Sequence, residues 1–379
     1  MKHRTIFFFC KSFFMVLALL RCGTIFSDVD PQEGHSAWTI AYNIALEIET
    51  ALSGGSASFN VSTPITQADF VGGEYAISTA GSYHLAEPVT GNITVDQDNV
   101  YLNLNSFTCT GNITVATGNE KIRIRNGFVV DGYVLVGTSD YISLEDLVVS
   151  GENASVLQGT INLQVVNYSR VLRCHVTDAA PASAGIYLNS CDYNLIHGCS
   201  VVSIEGNNAY YLTAGSDYNV ISECVAIDIL GPDTEQVNGF YAQSSQGNLF
   251  IDCVAKNIAG AGASSVAIGF YLDGEDDTKI MNCIINGVSD ETTENTNSRG
   301  IYVDAGCTNC LIRGNTVINS AGGIDGSSGV FGASAGNLAL QNIAFNSAIS
   351  SEVPNKQSYD PSISGDTTTY FHNVRVAIP

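Results

Sequence analysis

The chain has 379 residues, of which 45% are hydrophobic, with 37 glycines and 8 prolines, and this composition excludes a disordered or collagen-like protein. It carries 37 acidic and 15 basic side chains, which give a formal net charge of −22. A field of that sign offers no counterpart to phosphate backbones or anionic lipids, so we expect no nucleic-acid partner and no polybasic membrane contact.

The N-terminus has the pattern of a secretory signal. Lys2 and Arg4 precede an apolar run over residues 6–20, and the first acidic residue is Asp28. We therefore predict a signal peptide over residues 1–27 and a mature protein that is secreted, periplasmic or displayed at the cell surface. Removing it leaves 11 basic side chains against 37 acidic ones, a net charge of −26, because it contains four of the 15 basic residues and no acidic one.

A membrane anchor and a lipid anchor are the alternatives at this terminus. The uninterrupted stretch over residues 12–20 is too short to span a bilayer, and no later segment is long and apolar enough. We therefore expect no transmembrane segment after signal removal. Lipidation at Cys22 would need a small residue at the preceding position, where the sequence has Arg21, so signal cleavage is preferred.

Residues 28–69 are predicted to be an N-terminal segment with one amphipathic helix. Apolar residues recur at helical spacing from Ile40 to Leu52, with Ser36 as the N-terminal cap and two glycines after the last turn. The repeats that follow need a covered end, so we predict that this helix caps them.

A repeated pattern of apolar residue, two variable residues, slot residue, variable residue and apolar residue runs through the centre of the chain. Cysteine fills the slot in five repeats, asparagine in a later one and a large apolar residue in three earlier ones. The nine slot residues are Phe107, Phe128, Leu147, Cys174, Cys199, Cys224, Cys253, Cys283 and Asn315. We interpret the cysteines as small buried core side chains, the alternatives being a metal or redox array and disulfides between neighbouring repeats.

A tyrosine column runs through the same repeats. It consists of Tyr187, Tyr211, Tyr241, Tyr271 and Tyr302, with a weaker continuation at Phe331. Each tyrosine precedes the next slot residue by 12 or 13 positions, whereas the distance from a slot residue to the next tyrosine varies from 12 to 19. The constant spacing predicts a fixed piece of structure. The length variation is expected in one loop per repeat, over residues 228–238, 257–268 and 287–299.

Short β-branched runs with period-two alternation, separated by Asn, Gly, Asp and Ser, predict strands and turns. Repeats that cannot bury their own apolar face have to stack, so we predict an all-β solenoid over residues 70–347 with about nine or more coils, spaced about 4.8 Å apart. Residues 348–379 are expected to be a tail or second cap, with a last possible strand in residues 367–378.

The repeats resemble the right-handed parallel β-helix family with the pectin-lyase-like fold, including the secreted NosD-like repeat proteins. Residues 98–111 are similar to the opening coil of that family, and residues 312–317 to its asparagine-turn repeat. The resemblance implies a right-handed parallel β-helix. It implies no particular activity, because the same fold carries lyases, hydrolases, epimerases, adhesins and inert spacers.

Strand alternation places Ile186 and Leu188 inside the coil and Tyr187 outside, so the tyrosines are expected to form an exposed ladder. Beside it runs an outward polar column of Asn189, Thr213, Gln243, Asp273 and Asp304. Aromatic faces beside amides and carboxylates suit a sugar, whose apolar face stacks while its hydroxyls take hydrogen bonds. We therefore predict that the five tyrosines and Gln243 bind a polysaccharide or surface glycan, as in an adhesin-like or carbohydrate-binding protein. The alternative is that aromatic residues simply favour strands.

Asp273 and Asp304 occupy the same position one coil apart, so their carboxyls are expected about 5 Å apart, near the separation used by retaining glycosidases. They could act as acid and nucleophile of a polysaccharide-active hydrolase or lyase, or hold Ca²⁺ together with Asp276, the one cofactor considered. A solvated acidic edge that includes residues 275–277 is the third interpretation. Enzymes of the resembled family pair clustered aspartates with histidine and a basic residue. No histidine of this chain lies near the tyrosine strands in sequence, so pectin-type catalysis is disfavoured and the question of an enzyme stays open.

Cys307 and Cys310 have the spacing of a redox or zinc half-site. No second pair and no histidine is near them in sequence, so we predict a local disulfide or two unrelated thiols.

Overall fold

The computed structural model describes residues 62–151, 159–179, 184–231, 236–260, 265–290, 298–320, 322–326, 337–345, 348–349 and 374–376. The chain divides into two compact units, Met1–Leu46 and Glu47–Pro379, and the first lies outside the described residues. The predicted signal peptide and the predicted capping helix also lie outside them.

Among the described residues, one sheet, called face 1, contains twelve parallel strands that pair in chain order. Its strands are Glu74–Ile77, Asn92–Val95, Ile113–Val115, Val134–Val136, Gly159–Gln164, Ala184–Asn189, Asn208–Thr213, Gln236–Gln243, Val266–Asp273, Arg299–Val303, Gly322–Gly326 and Ala348–Ile349.

A second sheet of 22 strands consists of two ribbons that share the long strands Arg123–Val130 and Ser143–Ser150. The other strands of the first ribbon, called face 2, are Thr63–Ile65, Gly81–Leu85, Val100–Asn103, Arg170–Leu172, Leu195–His197, Val220–Ser222, Leu249–Ile251, Lys279–Met281, Leu311–Arg313 and Leu338–Leu340. Those of the second ribbon, called face 3, are Val89–Thr90, Thr108–Thr110, His175–Thr177, Ser200–Val202, Val225–Gly231, Val254–Gly260, Ile284–Asp290, Thr316–Ile318, Ile343–Phe345 and Val374–Val376. Ser139–Asp140 pairs with Val166–Asn167 in a small third sheet, and Gln67–Asp69 is a short 3-10 helix.

Each coil crosses the three faces in turn. One coil runs through Ala184–Asn189 on face 1, Leu195–His197 on face 2 and Ser200–Val202 on face 3, and then reaches Asn208–Thr213 on face 1 of the next coil. Neighbouring strands pair in parallel, which confirms the predicted parallel β-helix. Parallel crossovers of this kind are right-handed in almost all proteins.

Strand pairing extends beyond residues 70–347 in both directions. Thr63–Ile65 pairs with Gly81–Leu85 before that range, and Val374–Val376 pairs with Ile343–Phe345 after it. The C-terminal strand lies within residues 367–378, where the sequence predicted a last strand.

The cysteine column lies in the interior, as predicted. Cys174, Cys199, Cys224, Cys253 and Cys283 are buried and have free thiols, and burial raises the pKa of the thiols of Cys174, Cys199, Cys224 and Cys253. None of the described cysteines forms a disulfide, which removes the bridged alternative from this column. Asparagine continues the column, since the backbone N–H of Cys283 donates to Oδ1 of Asn315 at 2.8 Å and that of Asn315 donates to Oδ1 of Asn342 at 2.9 Å.

The placement of Phe128 in this column is wrong. Phe128 pairs with Val148 and is 41% exposed, so its side chain faces outward. The slot residue of that coil is Gly127, which pairs with Leu147. A Cβ at Gly127 would overlap the side chain of Leu104, so the interior has no room for a larger residue there. A one-residue slip in register exchanges the inner and outer sides of a strand.

The described residues of the three predicted loops are mostly strand. Face 3 strands extend to Gly231, Gly260 and Asp290, and the next face 1 strands begin at Gln236, Val266 and Arg299. Residues 232–235, 261–264 and 291–297 between them lie outside the described residues.

Candidate functional site

The tyrosine column lies on face 1 in continuous register. Tyr187, Tyr211, Tyr241, Tyr271 and Tyr302 pair with one another from coil to coil. The flanking residues Ile186 and Leu188 are buried in the core, so the tyrosine side chains lie on the outer side, as alternation predicted. The predicted continuation at Phe331 lies outside the described residues, and the residue that pairs with Tyr302 is Asp325.

The rings of this column stack on one another. Successive ring centroids are 5.3, 4.8, 4.7 and 5.5 Å apart, and the two central pairs are nearly parallel, at 2° and 7°. Because the coil spacing is close to the separation of two stacked rings, the rings of Tyr211, Tyr241 and Tyr271 cover one another's faces. Tyr187 is 3% exposed and Tyr271 8%, whereas Tyr211, Tyr241 and Tyr302 are partly exposed, so the predicted exposed ladder is exposed only in part. Ring edges and hydroxyls are what the column presents.

The tyrosine hydroxyls bind the polar column of the next coil. Tyr211 donates to Oε1 of Gln243 at 2.7 Å, Tyr241 to Oδ2 of Asp273 at 3.1 Å, and Tyr271 to Oδ2 of Asp304 at 3.0 Å. Nε2 of Gln243 also donates to Oδ2 of Asp273 at 3.0 Å. These bonds hold Gln243, Asp273 and Asp304 in fixed orientations while all three stay partly exposed.

The phenols of Tyr187, Tyr241 and Tyr271 have raised pKa values. Burial raises the pKa of Tyr187 to about 12. Burial and the adjacent Asp273 carboxylate raise the pKa of Tyr241 well above its ordinary value, and burial and the hydrogen bond to Asp304 do the same for Tyr271. At physiological pH the hydroxyls of Tyr241 and Tyr271 therefore donate to the carboxylates of Asp273 and Asp304 and do not compete with them for protons.

Asp273 and Asp304, the predicted catalytic pair, lie at equivalent positions of consecutive coils. Their strands pair through Leu272 and Val303, and the backbone N–H of Asp304 donates to the carbonyl of Leu272 at 2.8 Å. Asp304 also accepts from the N–H of Ala305, at 2.6 Å to Oδ1. Among the described residues, none donates to Oδ1 of Asp273, which leaves this oxygen available to a ligand.

Asp276, predicted with them as a calcium ligand, binds elsewhere. Its Oδ1 accepts from the Thr308 hydroxyl at 2.6 Å and from the Asn309 amide at 3.0 Å, and the bond from Thr308 is the main reason that its pKa is lowered. Within the described ranges, no three His, Cys, Asp or Glu side chains are grouped so that they could hold a metal ion. Asp273, Asp276 and Asp304 thus form no such group, and calcium binding stays a prediction.

Glu275 was predicted to be part of a solvated acidic edge, and this is wrong. Its side chain is 0% exposed and accepts from the Ser245 N–H at 2.9 Å and from the Thr278 hydroxyl at 2.7 Å. It continues an interior column in which the N–H of Ser216 donates to Oγ of Ser245. Burial raises the pKa of Glu275 to about 7, although the hydrogen bonds, that from Thr278 foremost, lower it.

A second tyrosine column was missed by the sequence analysis. Tyr141, Tyr168, Tyr193 and Tyr218 stack at the corner between faces 1 and 2, with centroids 5.8, 5.3 and 5.2 Å apart and interplanar angles of 21°, 3° and 10°. All four have left-handed backbones, with φ of 59°, 49°, 58° and 56°. Tyrosine is uncommon there, so the sterics argue against tyrosine at this corner. An available signal was the acidic or amide residue directly before each ring: Asp140, Asn167, Asp192 and Asp217.

No protein-family model matches the sequence, and no curated protein matches it. Among solved structures, the A-module of mannuronan C-5 epimerase AlgE6 from Azotobacter vinelandii is 12% identical with a TM-score of 0.39, covering 82% of this chain and 95% of that chain. PfbA, a surface adhesin of Streptococcus pneumoniae, is 12% identical with a TM-score of 0.35, covering 80% and 85%. A mutant tailspike protein of E. coli bacteriophage HK620 is 10% identical with a TM-score of 0.38, covering 79% and 61%. Sequence identities and TM-scores this low say nothing about what the protein does.

The part of the chain that the structure describes contains no helix long and apolar enough to cross a membrane.

Proposed function

We propose that the protein binds a neutral polysaccharide or surface glycan along face 1, as an adhesin-like or carbohydrate-binding protein. The binding strip is defined as Asn189, Thr213, Gln243, Asp273 and Asp304 together with the edges of the tyrosine column. Its location outside the cell is part of the proposal and rests on the N-terminal sequence.

One observation carries this proposal: the tyrosine hydroxyls fix the polar residues of the next coil in place. Three tyrosines donate to Gln243, Asp273 and Asp304 in the same diagonal pattern. Polar groups that are already oriented lose little side-chain entropy when a ligand binds. A row of them at coil spacing, about 4.8 Å, suits a ligand with regularly repeated hydroxyl groups.

The ring geometry changes how the sugar would be held. The stacked rings cover one another's faces, so hydrogen bonds to the polar column supply the affinity and the ring edges supply apolar contact. Oδ1 of Asp273 is the natural acceptor for a sugar hydroxyl, because its Oδ2 already receives Tyr241 and Gln243. A neutral glycan is preferred to a uronate, since the chain carries a net charge of −22.

The test is a glycan array with purified protein, followed by titration of the best ligand against Asp273→Asn and Gln243→Ala. Loss of a hydrogen bond to a charged acceptor is expected to weaken binding about tenfold or more. Asp228→Asn is the matched control, because it removes one negative charge from an exposed aspartate on face 3. Equal affinity in the unmodified protein and its three variants, or no bound glycan at all, would exclude the strip as a glycan-binding site.

Catalysis by Asp273 and Asp304 is the second candidate function, favoured by their equivalent positions in consecutive coils on the strip. A glycoside hydrolase or lyase would use the pair as acid and nucleophile, or as ligands of an added Ca²⁺ ion. Reducing-sugar release and absorbance of unsaturated products should be measured across polysaccharides with and without calcium. Activity that survives replacement of both aspartates by alanine would exclude this assignment.

A further inference from the structure

Two arginines lie side by side on the outer side of face 2, in a chain with 15 basic side chains against 37 acidic ones. Arg123 and Arg125 flank Ile124, which is buried in the core, so both arginine side chains point outward. Arg123 pairs with Tyr101 in the coil before and with Ser143 in the coil after. The protein therefore has a local group of positive charges on a surface that is otherwise mostly acidic.

A single carboxylate binds this group, and both of its oxygens are occupied. Glu145, which pairs with Arg125 in the next coil, accepts from Nη2 of Arg123 at 2.5 Å and from Nη2 of Arg170 at 2.9 Å. The hydroxyl of Ser143 donates to the same carboxylate at 2.5 Å. Three guanidinium groups and one carboxylate have a net charge of +2, three minus one. Arg125 is left over, because it forms no ion pair with any described residue.

Donor atoms of both outward arginines lack an acceptor. Within the described part of the chain, Nε of Arg123 and Nε of Arg125 are buried and have no hydrogen-bond partner. Their Cζ atoms lie 6.0 and 5.4 Å from the ring centroid of Tyr101, so cation–π contacts hold the two guanidinium groups next to each other. Buried donors without an acceptor are uncommon in folded proteins, and each indicates a partner such as a water molecule or an ion.

Arg173, also on this side of the molecule, shows what would complete Arg125. Nε and Nη2 of Arg173 donate to the two carboxylate oxygens of Asp146 at 2.7 and 2.9 Å, the forked geometry in which arginine binds oxyanions. Among the described residues, only the ring of Tyr101 holds the guanidinium of Arg125. A rotation of this side chain is therefore enough to present Nε and one terminal nitrogen to solvent.

We propose that Arg123 and Arg125 form a binding site for one oxyanion group, the sulfate or carboxylate of a small ligand. Arg125 binds the oxyanion through its fork, in the way that Arg173 binds Asp146. Arg123, whose side chain is 33% exposed, donates a further bond from a terminal nitrogen.

The charge of the whole chain limits the size of this ligand. At about 0.15 M salt, charges more than about 8 Å away are largely screened, so the two adjacent guanidinium groups decide the binding of a small anion. A polyanion would extend beyond them and meet the net charge of −22. The site therefore fits a small sulfated or carboxylated compound. It lies on face 2 and does not depend on glycan binding to face 1.

The test is equilibrium dialysis of the folded protein against labelled sulfate and, in a second arm, labelled acetate, with the ionic strength held constant by sodium chloride. We expect saturable binding of one anion per chain. Tighter binding of sulfate would identify a sulfate group as the ligand chemistry, and tighter binding of acetate a carboxylate.

Arg125→Gln is expected to weaken the binding about tenfold or more, because it removes the charged fork. Arg313→Gln is the matched control. It removes the same charge from an outward arginine of face 2 whose Nε already donates to Gln341 at 3.2 Å, so its affinity should equal that of the unmodified protein.

A second measurement uses the unmodified chain, so it decides the matter even if a variant fails to fold. Phenylglyoxal modifies accessible arginines, and the modified positions can be mapped by mass spectrometry. The preferred anion should protect Arg123 and Arg125 and leave Arg313 reactive. No saturable binding of either anion, equal affinity in Arg125→Gln and the unmodified protein, or equal protection of Arg313 would each overturn the proposal.

Discussion

Glu275 occupies an interior position where the preceding coil has Ser245, and this exchange couples folding to pH. Burial raises the pKa of Glu275 from 4.5 to about 7. As the pH rises, the unfolded chain therefore loses this proton at a lower pH than the folded protein does. Its contribution to stability is therefore fully present below about pH 4.5 and is lost as the pH rises through 7. A shift of that size corresponds to about 3 kcal/mol.

Glu275→Gln is expected to remove this dependence, since the amide keeps an oxygen for the Ser245 N–H and cannot ionise. The free energy of unfolding of both proteins should be measured by denaturant titration between about pH 4.5 and 8. The difference between them should grow in favour of glutamine as the pH rises, because all other titrations are common to both. Parallel curves would show that the folded protein does not hold this proton.

Gly247 occupies the position after Tyr218 in the corner column, next to the ring of Tyr218. A Cβ there would lie 2.5 Å from two ring atoms of Tyr218, and the backbone has a φ of +67°. Gly215 has a similar φ of +74° and nothing within 4 Å of its Cβ position. Gly215→Ala is expected to cost about 1–2 kcal/mol for the left-handed backbone, and Gly247→Ala about 1–3 kcal/mol more for the overlap with the ring. Urea unfolding of both variants gives the difference, and equal values would mean that the ring moves aside without cost.

At the scale of whole elements, asparagine side chains join successive coils at the corner between faces 1 and 2. Asn219 accepts from the N–H of Asn194 at 2.9 Å and donates to the carbonyl of Cys191 at 2.7 Å. All three residues are buried, so Asn219→Ala would leave a donor and an acceptor unsatisfied, at an expected cost of about 3 kcal/mol.

Asn257→Ala is the control for this column, because Asn257 makes a similar bond between coils, to Asp228 at 2.7 Å, in an exposed position. Water replaces that bond, so the expected change is about 0.5 kcal/mol or less. Thermal unfolding of both variants compares the two sites. A similar small loss in both would show that the buried asparagines do not hold the coils in register.

The coil register was predictable because like residues recur at a constant spacing. Tyr187 precedes Cys199 by 12 residues and Tyr211 precedes Cys224 by 13, and in the structure Tyr187 pairs with Tyr211. Exposure was harder to predict. Glu275 stands before two aspartates and looks like surface in the sequence, yet the chain turns it into the interior.

The errors have a common physical cause: sequence spacing fixes which residues are stacked, not how tightly. The tyrosine column was found, but its covered ring faces follow from the coil spacing and the closeness of parallel rings. The corner tyrosines were missed because left-handed tyrosine is uncommon, and the acidic or amide residue directly before each of them is a weak signal. The hydrogen bonds from Tyr241 and Tyr271 to the aspartates needed coordinates, since each joins residues more than one full coil apart.

At the scale of the whole molecule, the net charge of −22 acts on a ligand before contact is made. Salt shortens the distance over which that field acts, from about 30 Å at 0.01 M to about 3 Å at 1 M. A neutral glycan carries no charge on which the field can act. Its affinity is therefore expected to change less than about twofold over that salt range, whereas a change of about 1.4 kcal/mol in binding free energy would be tenfold. An anionic polysaccharide of the same length should bind weakly at low salt and more tightly as salt screens the repulsion.

Titrating both ligands across this salt range separates the effect of the field from that of the strip. Asp273→Asn should weaken the neutral ligand at every salt concentration, because it changes a contact and not the field. Asp228→Asn should leave the neutral ligand unchanged and shift the anionic one slightly at low salt, since the remaining charge still repels it. If the anionic polysaccharide instead binds more tightly than the neutral one at low salt and loses affinity steeply as salt rises, it is held by opposite charges. The strip of amides and carboxylates on face 1 is then not where it binds.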